Sequence, residues 1–305
     1  MARRFFTLDV FTETPLAGNP LAVVLDSEGL DDAAMLAIAR EFSLSETVFV
    51  SPPADAVNTA AMRIFTPGGE LPFAGHPTVG TAVLLADLNA RDMARSPGGV
   101  QIALEQRIGL VKVEVSQRPG RAARGLFTVP KLSERLEWAP DMAAVTQAVG
   151  LDPLDIGFAA HGPSAWSAGV PFVMLPVRDL AAIGRAGIAD AAAWQQAFSF
   201  TGRSAVYLYT MATVRPESHV HARMFAPKLG VPEDPATGAA VAAFAGAAVA
   251  FERPEPGWHQ LIIEQGYEMG RPSEIVLDIE VRAGLLAAAR IGGAAVIISE
   301  GKLKA

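Results

Sequence analysis

Three stretches of this 305-residue chain set an ionisable side chain where the chain turns toward a strand or helix: Glu46 in FSLSETVFV, His76 in PFAGHPTVG and Asp234 in EDPATGAA. A glutamate between a predicted helix and strand is either a surface acid flanking the strand or, beside a cleft of polar groups, a general acid/base whose pKa is tuned by burial. Histidine is not a preferred helix cap, so His76 reads as a hydrogen-bonded loop residue or as part of a site. Asp before Pro is a common helix start, so Asp234 reads first as a cap. Apolar helices are predicted from Pro77 to about Asn89 and from Pro235 to Phe251, with both prolines at first helical positions. Helix N-termini offer N–H groups without intrahelical partners at a positive dipole end, which suits a small carboxylate. The donors here are the amides near Gly75-His76 and Gly238-Ala239, where glycine allows close approach. Asn19, in AGNP, reads as a turn residue.

Composition removes several chemistries. The chain has no cysteine, so disulfides, thiolate metal sites and thiol nucleophiles are excluded. Its formal charge is -7 with no extended basic stripe, which argues against nucleic acid and anionic membrane surfaces as partners. Arg118, Arg121 and Arg124 form the densest basic stretch; with Pro and Gly between them it reads as a solvated inter-domain connection. Asp9 interrupts the first apolar run too early for a signal-peptide core, and the Gly238–Phe251 helix is too short to span a bilayer, so the expected location is the cytoplasm. His219 and His221 share a strand face but have no third ligand in view, so no metal is expected. Phosphate-binding and dinucleotide fingerprints are absent.

Stepping outward, the elements that must hold these residues come in two similar sets. Short strands close in sequence, joined by hairpin-like connections, predict a mostly antiparallel sheet wrapped on a helix. MRIFTPGGELPFAGHPTVGTAV (62–83) resembles ARMFAPKLGVPEDPATGAAV (222–241), with His76 matched to Asp234, Pro77 to Pro235 and Gly80 to Gly238. Such self-similarity predicts two related domains, with both helix N-termini facing one cleft.

The chain resembles the phenazine-biosynthesis PhzF-like isomerase family along nearly its whole length, through DVFTETPLAGNPLAVVLD, FSLSETVFV, RIFTPGGELPFAGHPTVG, EDPATGAA and EQGYEMGRPS. The resemblance implies an α+β, diaminopimelate-epimerase-like fold: two pseudo-symmetric domains, each a mostly antiparallel β-barrel around a central apolar helix, with the active site in the cleft between them. The expected domains are 1–118, joined by 293–305, and 119–292. It further implies a cofactor-independent isomerase of the trans-2,3-dihydro-3-hydroxyanthranilate type, with Glu46 as general acid/base, His76 and Asp234 as its partners, and a homodimer. The substrate carboxylate is expected on the amides around Gly75 and Gly238, with Asn19 nearby. The chain departs from the family pattern at Ala239, where a serine hydroxyl is usual; losing one hydrogen bond to a charged group is worth roughly 1.5–3 kcal/mol. Two other readings stay open. One is an amino-acid-type epimerase or racemase working without thiols. The other is a non-catalytic binder of small carboxylates, which Ala239 favours.

Overall fold

The computed structural model describes residues 2–89, 99–117, 119–199 and 205–304, so Arg118 and the predicted strand start at Ser204 lie outside the described residues. The chain divides into two units, 1–128 with 292–305, and 129–291. The division falls after Thr128, beyond the expected crossover at 118, because 124–128 forms a strand on its sequence predecessor.

In the first unit, β1 (Ala2–Val10) pairs antiparallel with β2 (Asn19–Val24). Helix α1 (Asp32–Phe42) carries the chain over to β3 (Glu46–Ser51), parallel to β2. The strands β4 (Ala60–Thr66) and β5 (Gly69–Leu71) follow, and α2 (Gly75–Leu88) crosses to β6 (Val100–Gln106), parallel to β4. β7 (Gly109–Ser116) and β8 (Arg124–Thr128) add antiparallel, and β8 pairs with the last strand, β17 (Leu285–Lys304). β17 also pairs with β1, so the ladder β1-β2-β3-β4-β6-β7-β8-β17 returns to its start. Closure gives β1 and β8 partners on both sides, so neither is an edge of this ladder.

Helix α2 packs against β1, β2, β3, β6, β7 and β8, and every residue from Gly75 to Leu84 is buried. That is the expected fate of a helix with no polar face. Gly80 makes the approach possible: a Cβ there would lie 2.6 Å from Leu21 Cδ2 and 2.7 Å from Val10 Cγ2. The amphipathic α1 instead packs Met35, Ile38 and Ala39 on Val24, Phe49 and Phe65.

The second unit runs β9 (Glu134–Leu136), α3 (Met142–Val149), β10 (Ser164–Ser167), β11 (Pro171–Pro176), α4 (Leu180–Arg185), α5 (Ala191–Phe198), β12 (Val206–Thr210) and β13 (Val220–Ala226). It continues with β14 (Val231–Asp234), α6 (Gly238–Glu252), β15 (Gly257–Gln265) and β16 (Ser273–Arg282). Most pairings are antiparallel; β11–β12 and β13–β15 are parallel, each across a helical crossover. Helices α3 to α5 build a core around Trp194, Phe198 and Phe225. The mostly antiparallel expectation therefore stands with a qualification: each unit also contains two right-sized βαβ crossovers, around α1 and α2 in the first and around α4–α5 and α6 in the second.

The sequence repeat extends to side-chain joints. Arg63 Nε and Nη2 grip both oxygens of Glu70, and Arg223 Nε and Nη2 grip both oxygens of Glu233. Glu105 accepts the N–H groups of Ala54 and Asp55, and Glu264 accepts those of Val214 and Arg215. In the basic stretch Arg121 and Arg124 both pair with Glu13, and Arg121 remains exposed.

Candidate active site

Glu46 opens β3 directly after the α1 crossover, and His76 is the second residue of α2. Packing of α2 on β3 brings them together: His76 Nε2 lies 3.5 Å from Glu46 Oε2, with the two side chains 6% and 17% exposed. Burial withholds solvation from the Glu46 carboxylate and raises its pKa from 4.5 to about 7, against a smaller opposing effect of a hydrogen bond with Ser45. Asn19, fully buried at the start of β2, accepts a 3.3 Å hydrogen bond from Ser45 Oγ. Gly75 is the first residue of α2, beside His76. The first unit therefore assembles Asn19, Ser45, Glu46, Gly75 and His76 from three elements. Ser45 was not singled out by sequence; its only signal was its place next to Glu46.

Asp234 belongs to the second unit and is not a helix cap. It ends β14, paired with Met224, and α6 starts later, at Gly238, with Thr237 at the N-cap. The residue before a proline is held in extended backbone, which keeps Asp234 in the strand. The prolines also move from their expected places. Pro77 is the third residue of α2, and Pro235 precedes α6 altogether. Asp234 Oδ2 accepts a 2.5 Å hydrogen bond from Thr237 Oγ1, and Gln265 binds the same turn. Gly238 and Ala239 are the first two residues of α6.

The helix ends differ in one telling way. Asp31, Asp141, Asp179 and Asp190 cap α1, α3, α4 and α5 through side-chain hydrogen bonds. The buried α2 and α6 begin at Ala74 and Thr237 without a side-chain cap. At these two helix starts, which sequence singled out, the N-cap side chain does not take up a first-turn amide.

The two histidines predicted to share a strand face are engaged by different groups. His221 is buried with Nδ1 2.7 Å from Glu264 and Nε2 3.0 Å from Glu268, while His219 Nδ1 accepts the Ile262 N–H. No group of three metal-ligating side chains is found among the described residues. Among them, also, no helix is long and apolar enough to cross a membrane.

The mixed α/β, barrel-rich fold is one seen in solved proteins. The family model described as phenazine biosynthesis-like protein matches residues 8–301, and the chain belongs to that family. An uncharacterized isomerase of Mesorhizobium japonicum is 50% identical over 304 residues, covering 99% of this chain and 98% of that one. The trans-2,3-dihydro-3-hydroxyanthranilate isomerase of Pseudomonas aeruginosa is 31% identical, covering 98% of each. The crystal structure of a PhzF-family phenazine biosynthesis protein from Bacillus anthracis superposes with a TM-score of 0.88 over 100% of both chains at 24% identity, which speaks to the fold. The chain is an isomerase of this family.

Proposed function

We propose that the chain moves a proton between two carbons of a small, unsaturated or cyclic carboxylated substrate, with Glu46 as the group that takes up and returns it. The observation that carries this reading is the Glu46 carboxyl, buried beside His76 and titrating at about 7. A shuttle works best when its pKa lies near the working pH, so that it is ready both as acid and as base. In its ionised form Glu46 removes a proton from a C–H bond next to an electron-withdrawing group. The resulting acid exchanges its proton with solvent and delivers one to a second carbon of the same delocalised system, and the double bonds shift between them. Atoms and charge balance across substrate, carboxyl and solvent. His76 orients the substrate and favours the ionised form of Glu46 when its imidazole is protonated.

First-turn amides at a buried helix start, Gly75 in the first unit or Gly238-Ala239 in the second, are proposed to receive the substrate carboxylate, and Asp234 is proposed as a catalytic residue of the second unit. The uncapped starts of α2 and α6 support this. Barrel domains around α2 and α6, related by the internal repeat, are the framework we infer for it. Similarity to the Pseudomonas aeruginosa enzyme supports trans-2,3-dihydro-3-hydroxyanthranilate as the first compound to try. Ala239 supports a different carboxylate as the preferred one, since the side chain there offers no donor. Incubating the protein with this compound and a panel of unsaturated cyclic carboxylates, and following ring protons by NMR, tests the proposal. Rearrangement of at least one supports it; saturable binding with no rearrangement of any would make the chain a carboxylate binder.

A further inference from the structure

Gln265 ends β15 and is fully buried, with all of its amide engaged on one short turn. Its Nε2 donates to the Asp234 carbonyl at 2.7 Å and to Thr237 Oγ1 at 3.0 Å, and its Oε1 accepts the Thr237 N–H at 3.3 Å. A carbonyl on one side and an N–H on the other allow only one orientation of the amide. Thr237 Oγ1 therefore already receives a proton, and its single hydroxyl proton must go elsewhere. The acceptor in place is Asp234 Oδ2, at 2.5 Å, a distance typical of a hydroxyl on an ionised carboxylate.

The turn is clamped from further points. Ser273 Oγ donates to the Pro235 carbonyl at 2.9 Å. Gly266 has φ +80°, and a Cβ there would lie 2.6 Å from the Pro235 oxygen. Glu264, next to Gln265, is anchored by His221 and by the Val214 and Arg215 amides. In the first unit Gln106, the repeat's match to Gln265, meets Thr78, which matches Ala236 rather than Thr237, and the outcome differs. Gln106 Nε2 donates to Thr78 Oγ1 at 3.1 Å, but the Thr78 proton has the Ala74 carbonyl at 2.7 Å, so no carboxylate is engaged.

We propose that Gln265 is a positioning residue that fixes the direction of the Thr237 hydroxyl, so that its proton is given to Asp234 and the carboxylate is held in one rotamer as an acceptor. The consequence for turnover rests on the part given to Asp234 above; the hydrogen-bond direction does not. Gln265→Glu keeps the shape and removes the donor. The Thr237 hydroxyl then turns to the new carboxylate and leaves Asp234.

The test is ¹³C NMR of the Asp234 carboxyl, assigned with Asp234→Asn, in wild type, Gln265→Glu, Thr237→Val and Thr237→Ser. The expected result is the same displacement of the Asp234 resonance in Gln265→Glu and Thr237→Val, and wild-type behaviour in Thr237→Ser. An unchanged Asp234 resonance in Gln265→Glu overturns the proposal; so does an unchanged resonance in Thr237→Val, which decides the matter if Gln265→Glu does not fold. With a turned-over substrate, Gln265→Glu lowers kcat about tenfold or more while KM stays within about twofold. Wild type without turnover removes the proposed reaction and leaves the carboxyl resonance to decide the role of Gln265.

Discussion

At the residue scale, burial pushes the pKa of two titrating groups in opposite directions, Glu46 up and His221 down. Glu46 is raised from 4.5 to about 7 by desolvation, so the folded chain binds a proton there that the unfolded chain has released. Stability contributed at this position is present below pH 4.5 and falls as pH rises toward 7. Glu46→Gln should remove that loss, and at pH 8 the variant should be more stable than wild type by up to about 3 kcal/mol, read by urea unfolding at pH 5 and pH 8. An equal effect at both pH values would mean that the carboxyl titrates normally. For His221, burial opposes the charged imidazole, but hydrogen bonds to Glu264 and Glu268 outweigh it and lift the pKa from 6.5 to about 9. Its contribution is complete below pH 6.5 and is lost as pH rises through 9. His221→Gln should destabilise the protein near neutrality and flatten the fall in stability between pH 7 and pH 9.5. An unaltered slope would remove the ion pair from the account.

At the element scale the two buried helices carry the design. Both start without a side-chain cap, and α2 is packed closely enough to need glycine at position 80. Gly80→Ala should cost about 1–3 kcal/mol through overpacking against Val10 and Leu21, seen as a lowered midpoint in chemical unfolding. The apolar character of these helices was legible in sequence because they lack any polar face, and the repeat around them was legible because Arg, Phe, Pro and Gly recur in order. Their start points were not. Asp-Pro signals a cap only if a helix follows at once, and here two residues, Ala236 and Thr237, intervene before α6. The strand β14 hid for a related reason: four residues long, it is defined by its pairing with β13 rather than by its own pattern.

At the scale of the whole molecule, the ladder of the first unit closes only through the last strand. Its residues from Ala295 onward pair with β1 from Val10 back to Ala2. Deleting 292–305 should open β1 and β8, with fast amide exchange in both strands and loss of solubility, while the core around Trp194 in the second unit keeps its protection. Protection of β1 in the truncated chain would show that closure is dispensable. Sequence made Glu46, His76 and Asp234 visible through local motifs, yet gave no sign of Gln265, Glu264 and His221 as a connected group. Gln265 and Thr237 lie 28 positions apart, and His221 and Glu264 lie 43 apart, so only the paired strands bring them into contact.

Glu46 is the group proposed to move the proton. The direct measurement is isomerisation in D₂O of whichever carboxylate the protein turns over, with wild type and Glu46→Gln side by side and ring protons followed by NMR. The expected result is rearrangement with deuterium entering the product in wild type, and neither in Glu46→Gln. Rearrangement with deuterium uptake at an unchanged rate in Glu46→Gln would contradict it.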